Sequence, residues 1–284
     1  MKYPTTERTL RVPGATLHHE IRGSGSDPVL LLLPGAGGDA AVLDPVADAL
    51  ADTFTVLTHD PRGYSRSTLD GPHTEQRVPV HADDARRLLD AVSPGEPAYV
   101  AGASSGAIVA LDLLARHPGR VRRVVAHEPP SWSVLPDAAE QLAFFDEVHE
   151  LFVTEGLQAA GERFLRGIGG AMKPATWMTR PELPPRTREM MVRLTANAPL
   201  ALEYEYRSFA AYVPDLDALA AVRHRLTLAA GEATRPHLPC RPAALMADRL
   251  GLEPASFPGA HNGWSTHPAG TADLLRALLL GDTR

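Results

Sequence analysis

The sequence predicts an α/β fold, a mostly parallel, doubly wound sheet with an inserted helical lid. Three observations lead there. From about residue 28 to 130, short apolar runs of buried-strand type alternate with helical segments. That alternation stops over residues 131–222, which read as helical and proline-interrupted, and resumes from 223 to the end. Finally, Gly102-Ala103-Ser104-Ser105-Gly106 stands between an apolar strand and an almost wholly apolar helix, the setting of a nucleophile elbow. The expected organisation is a core made of residues 1–130 and 223–284, with 131–222 as a cap.

Taken in order, Arg8 to Val12 and Ala15 to Arg22 read as a hairpin turning at Pro13-Gly14. Within it, His18 and His19 point to opposite faces and are expected to be structural. Pro28 to Leu33 is a continuous apolar run that ends in Pro34-Gly35-Ala36-Gly37-Gly38. A helix from Ala40 to Ala51 and a strand from Phe54 to His59 follow. Asp60 to Ser67 then forms a polar loop whose Asp and Arg are expected to pair locally and brace the chain. Helix Val80 to Val92 carries Asp83, Asp84, Arg86 and Arg87, expected on its wet face. Strand Ala98 to Ala101 leads into helix Ala107 to Ala115, and Val121 to Ala126 is another buried strand. After the cap come strand Arg225 to Ala230, helix Arg241 to Leu250, strand Ala255 to Phe257 and helix Thr271 to Leu280.

Composition narrows the function. At 284 residues with 44% hydrophobic content the chain can bury a full core. A net charge of -6, and no basic run longer than Arg122-Arg123, give nucleic acid no electrostatic footprint. The first residues lack an apolar leader and no stretch reaches the ~18 apolar residues of a membrane span; a soluble, cytoplasmic chain is expected. Cys240 is the single cysteine, and no Cys/His spacing suggests a metal. Neither a metal nor a cofactor is expected.

Ser104 is the candidate nucleophile because Gly102 and Gly106 occupy the two positions where strand and helix must pass closely. Ser105 is the alternative register, but alanines would then fill those positions. The loop from Pro34 to Gly38 lacks the Lys-Ser/Thr ending of a P-loop and suits an oxyanion loop. The backbone N–H groups of Ala36 and Ser105 are the candidate donors to a developing oxyanion. A serine hydroxyl needs a base and an orienting carboxylate. His261, in Pro258-Gly259-Ala260-His261, lies just past the last strand and is the candidate base, with His267 as alternative. For the carboxylate, Thr234 stands where an Asp is often found, Glu232 is nearby, and Asp248 lies on a helix. Glu128 ends the strand beside the nucleophile strand and keeps the order serine, acid, histidine. It is the favoured candidate, with Glu232 as alternative. His127 should face away from it.

With these residues in place, the chain resembles the α/β-hydrolase superfamily along nearly its full length, and within it most closely the zearalenone lactone hydrolases. The resemblance rests on the Ser104-Ser105-Gly106 elbow, His127-Glu128, Ser65-Arg66-Ser67, the 231–236 loop without an Asp, and the pieces around His261 and His267. It implies a Ser-His-Glu triad acting without a cofactor on an ester or lactone, with a resorcylic macrolactone such as zearalenone as the lead substrate. It also implies a cap residue against the substrate, for which Trp177 and Phe209 are the stand-ins. Gly35 and Trp132 complete the expected substrate contacts. The cap holds ten of the sixteen aromatic residues together with Met172, Met178, Met190 and Met191, a composition suited to an apolar, adaptable pocket. A general carboxylesterase or C–C hydrolase, and a ligand-binding protein of the same fold, are the rival expectations.

Overall fold

The computed structural model describes residues 3–25, 27–173, 182–235 and 237–281. Nine strands form one sheet among these residues: β1 (Thr6–Val12), β2 (Ala15–Arg22), β3 (Val29–Leu33), β4 (Thr55–His59), β5 (Thr68–Leu69), β6 (Ala98–Ala103), β7 (Val121–His127), β8 (Leu226–Gly231) and β9 (Ala255–Phe257). Their order is β1-β2-β4-β3-β6-β7-β8-β9, with the short β5 beside β2. From β4 to β9 every pairing is parallel, while β1, β2 and β5 pair antiparallel. Parallel strands carry helices on both faces, so their middles are largely apolar, and all five residues of β3 are buried.

One face of the sheet is covered by α2 (Val78–Val92), α3 (Ser105–Arg116), α8 (Leu216–Ala221) and α9 (Arg241–Leu250). The other is covered by α1 (Asp44–Leu50), the short α10 (Gly263–Thr266) and α11 (Pro268–Leu280). Between β7 and β8 lie α4 (Ala138–Glu155), α5 (Leu157–Gly167), α6 (Pro185–Tyr204) and α7 (Tyr206–Ala210), ahead of α8. Several of these share an aromatic cluster of their own, with Trp132, Phe144 and Phe145 at its centre. We refer to this segment as the helical insert.

Two local expectations need correction. The helix expected from Ala40 to Ala51 is divided: a 3-10 turn, Ala40–Leu43, precedes α1. Asp39 accepts from the Ala41 N–H at 2.9 Å and starts the turn. Pro45, which has no N–H to give, falls in the first turn of α1 and restarts the helix there. On α2, Asp84 does not sit on the wet face; it is 2% exposed. Arg62 reaches it through two hydrogen bonds of 2.7 Å, a bidentate pair that lets a carboxylate remain buried. The pairing of Arg62 is thus with α2, while Asp60 pairs within its own loop with Arg66 at 2.7 Å. His18 and His19 are both buried in β2.

Candidate active site

The chain leaves β6 at Ala103 and enters α3 at Ser105, and Ser104 alone makes the turn, with φ 54° and ψ −124°. A non-glycine residue there is strained, and its neighbours hold it. The Ser104 N–H donates to the His127 carbonyl at 2.9 Å and its own carbonyl accepts from Ala107 at 2.8 Å. The flanking glycines have no substitute: a Cβ on Gly102 would lie 2.2 Å from the Gly106 carbonyl oxygen, and one on Gly106 2.3 Å from that of Leu33. Ser105 is the first residue of α3 and is buried, and an N–H in a helix's first turn has no intrahelical acceptor.

Gly35 brings the loop after β3 against the turn, since a Cβ there would sit 3.4 Å from Ser104 Cβ. Ala36, Ser104, Ser105 and His261 line one cavity of about 370 Å³. His261 Nδ1 lies 2.6 Å from Glu128 Oε2, and Glu128 Oε1 accepts from the Gly231 N–H at 2.8 Å. Glu128 is 0% exposed and is itself held at φ 48°. Burial pushes its carboxyl pKa up, but the hydrogen bond and charge of His261, with help from His127 and the Gly231 N–H, bring it below the ordinary carboxylate range. Such a carboxylate can hold an imidazole in one tautomer and stabilise its protonated form.

The alternatives are placed elsewhere. Glu232 is exposed in a 3-10 turn, and His267 is exposed with Nδ1 2.8 Å from the Thr266 hydroxyl. His127 is wholly buried against Phe257 and Trp264. Burial lowers its pKa to about 4, with the His261 charge adding to that and the Glu128 charge opposing it.

Trp132 and Phe209 both line the cavity and are each 2% exposed. Trp177 lies outside the described residues. Further wall comes from Met190, Met191, Leu194 and Tyr206 of the insert and from Trp264 of α10. Among the described lining residues His261 is the single titratable side chain besides the Tyr206 phenol, so the site suits a neutral, apolar molecule. No group of three or more His, Cys, Asp and Glu suited to a metal ion occurs among the described residues.

Sequence reasoning missed two features. Trp264 follows the candidate base by three residues, but no periodicity marks a four-residue helix as cavity wall. Glu205, 3% exposed, sits in Tyr204-Glu205-Tyr206; flanking aromatic residues hint at burial without saying what the carboxyl meets. The insert also grips the loop of the candidate base, as the His261 N–H donates to the Ala171 carbonyl at 3.0 Å and Lys173 to Asn262 Oδ1 at 3.1 Å.

Comparison with known proteins agrees with this architecture. Residues 28–211 match the model of the alpha/beta hydrolase fold family. The uncharacterized hydrolase YraK of Bacillus subtilis (strain 168) is 35% identical over 278 residues, 95% of each protein. A putative carbamate hydrolase, RutD, of Agrobacterium fabrum is 30% identical over 57% of this chain and 59% of its own length. Among solved structures, a hydrolase from Pseudomonas aeruginosa superposes with a TM-score of 0.70 at 24% identity, covering 97% of this chain and 99% of that one. The enol-lactonase from Burkholderia xenovorans LB400 does so with a TM-score of 0.67 at 19% identity, covering 96% and 99%. At those identities the structures speak for the fold alone. Together with the family match over 28–211 and the full-length relative, they establish that this chain belongs to the α/β hydrolase fold family.

Proposed function

We propose that the protein is a cofactor-independent serine hydrolase that opens an apolar carboxylic ester or lactone, with a resorcylic macrolactone such as zearalenone as the lead substrate. In this reading His261 takes the proton of Ser104 and Glu128 orients the ring through Nδ1. The Ser104 oxygen then attacks the carbonyl, and the Ala36 and Ser105 N–H groups hold the oxyanion. The alcohol leaves with the proton from His261, and water, activated by the same imidazole, releases the acid. For a lactone, both products remain parts of one ring-opened molecule.

One observation carries the reading: Ser104 is the strained tip of a strand-to-helix turn on the same cavity as His261, whose Nδ1 meets Glu128 at 2.6 Å. The substrate class is supported by the uncharged, Met- and aromatic-rich walls of a cavity of about 370 Å³, within the range of small-molecule sites. The insert serves as the lid over it. The experiment compares wild type with Ser104→Ala for chromatographic loss of zearalenone with product mass, beside aryl esters and an aryl carbamate. Ring opening by wild type alone supports the reading whole. Turnover of esters but not zearalenone keeps the chemistry and discards the lead substrate; a stable complex with intact ligand and no turnover points to a binding protein.

A further inference from the structure

The insert meets the loop after β3 through a buried carboxyl. Glu205 lies at the break between α6 and α7, 3% exposed, and its Oε2 accepts from the Gly37 N–H at 3.0 Å. The same carboxyl lies beside the hydroxyls of Tyr64 and Ser105. No cation forms an ion pair with it among the described residues, although buried carboxylates usually have one. Burial accordingly raises its pKa, against the pull of the Gly37 N–H and the two hydroxyls, and favours the neutral acid. The other side of the same residue is held as well. Asn197 of α6 donates to the Gly37 carbonyl at 2.8 Å and to that of Gly38 at 3.3 Å. Arg193 reaches Asp39 at 3.1 Å. Gly37 has φ 57°, and a Cβ there would press on Ala201 at 3.1 Å, so α6 packs directly on the loop. Fixing the peptides on both sides of Gly37 restricts the backbone at Ala36.

We propose that Glu205 is a positioning residue for the oxyanion site: delivered by the insert, it fixes the Gly37 peptide and thereby aims the Ala36 N–H at the reacting carbonyl. The proposal rests on the serine-hydrolase reading above. Its test is steady-state hydrolysis of 4-nitrophenyl butyrate by the full chain as wild type, Ser104→Ala, Glu205→Gln, Glu205→Asp and Asn197→Ala, with melting temperatures alongside. Gln keeps an acceptor at the same reach and needs no charge buried, so kcat stays within about threefold of wild type. Asp withdraws the acceptor by one methylene, and kcat falls about tenfold or more with KM within about twofold. Outright loss of an oxyanion donor costs roughly 10²–10³, which bounds that effect. Asn197→Ala frees the peptide on the other side of Gly37 and lowers kcat in the same KM-neutral way, which keeps the test open should the Asp variant fail to fold. Wild-type kcat in both the Asp and Ala variants, a Gln variant as slow as Asp, or losses confined to KM overturn the proposal. Equal rates for wild type and Ser104→Ala on this ester and on the lactone instead remove the hydrolase reading itself, and the proposal with it.

Discussion

Glu128 and Glu232 show how position decides what a carboxylate can do. Both lie near the carboxyl ends of neighbouring strands, yet one is wholly buried against His261 and the other faces water in a 3-10 turn. Glu128→Gln should therefore lower kcat for an ester substrate by several orders of magnitude, up to roughly 10⁴-fold, as loss of a triad acid does. Glu232→Gln should leave kcat within about threefold of wild type. A collapse of the second variant with survival of the first would move the acid to β8. Gly102→Ala tests the turn itself: the nearest atom to its Cβ would be a backbone carbonyl oxygen at 2.2 Å, which cannot swing away. That variant should melt well below wild type and lose activity together with its fold; unchanged melting would mean that the turn can open.

At the scale of elements, the insert divides its labour between folding and lining the cavity. Phe209 belongs to the main core and packs edge-on against His81 at 5.4 Å, so truncating it would cost about 3–5 kcal/mol of stability and confound any substrate test. Leu194 and Met191 of α6 also line the cavity but are only half-buried. Leu194→Ala should raise KM for a bulky lactone or aryl ester several-fold while leaving 4-nitrophenyl acetate within about twofold, with little change in melting temperature. Equal effects on large and small substrates would mean that α6 shapes the site only by folding it. The elements that could be read in the sequence share a cause. The β3, β6 and β7 strands, the elbow and α9 are set by local apolar pattern and by glycine sterics, which a linear sequence displays. The Arg62 pairing with Asp84 and the contact of Glu205 with Gly37 could not be read so. They join residues 22 and 168 positions apart, and a charge pattern on one helix does not reveal a partner on another element.

At the scale of the whole molecule, four of the buried histidines among the described residues are held neutral. Burial is the largest cause at each, lowering His19 and His127 to about 4 and His59 and His81 to about 3. Unfolded, they would titrate near 6.5. Below that pH the unfolded chain binds more protons than the folded one, so their contribution, intact above pH 6.5, drains as pH falls toward 4. Each such group removes up to about 1.4 kcal/mol per pH unit in that window. Glu205 and Asp84, whose pKa values are raised chiefly by burial, act in the opposite sense, but they are outnumbered. The melting temperature should start to fall near pH 6, before the depressed carboxylates Glu128 and Asp39 begin to protonate. A melting temperature flat down to pH 5 would show that the histidines find protonated arrangements within the fold.

Glu128 follows β7, before the helical insert begins, and β8 meets it with backbone groups, the Gly231 N–H donating to its carboxylate and the Ala229 carbonyl accepting from its own N–H. On the proposed reading the turn after β8 carries no reacting group and keeps a supporting task, its Ala233 N–H donating to the Gly259 carbonyl at 2.9 Å in the loop of His261. That bond, with Thr234 wholly buried, ties the backbone of residues 232–235 to the histidine's loop, while the exposed side chains of Glu232 and Arg235 stay free to vary, a freedom that a hydrolase carrying its acid after β8 does not have.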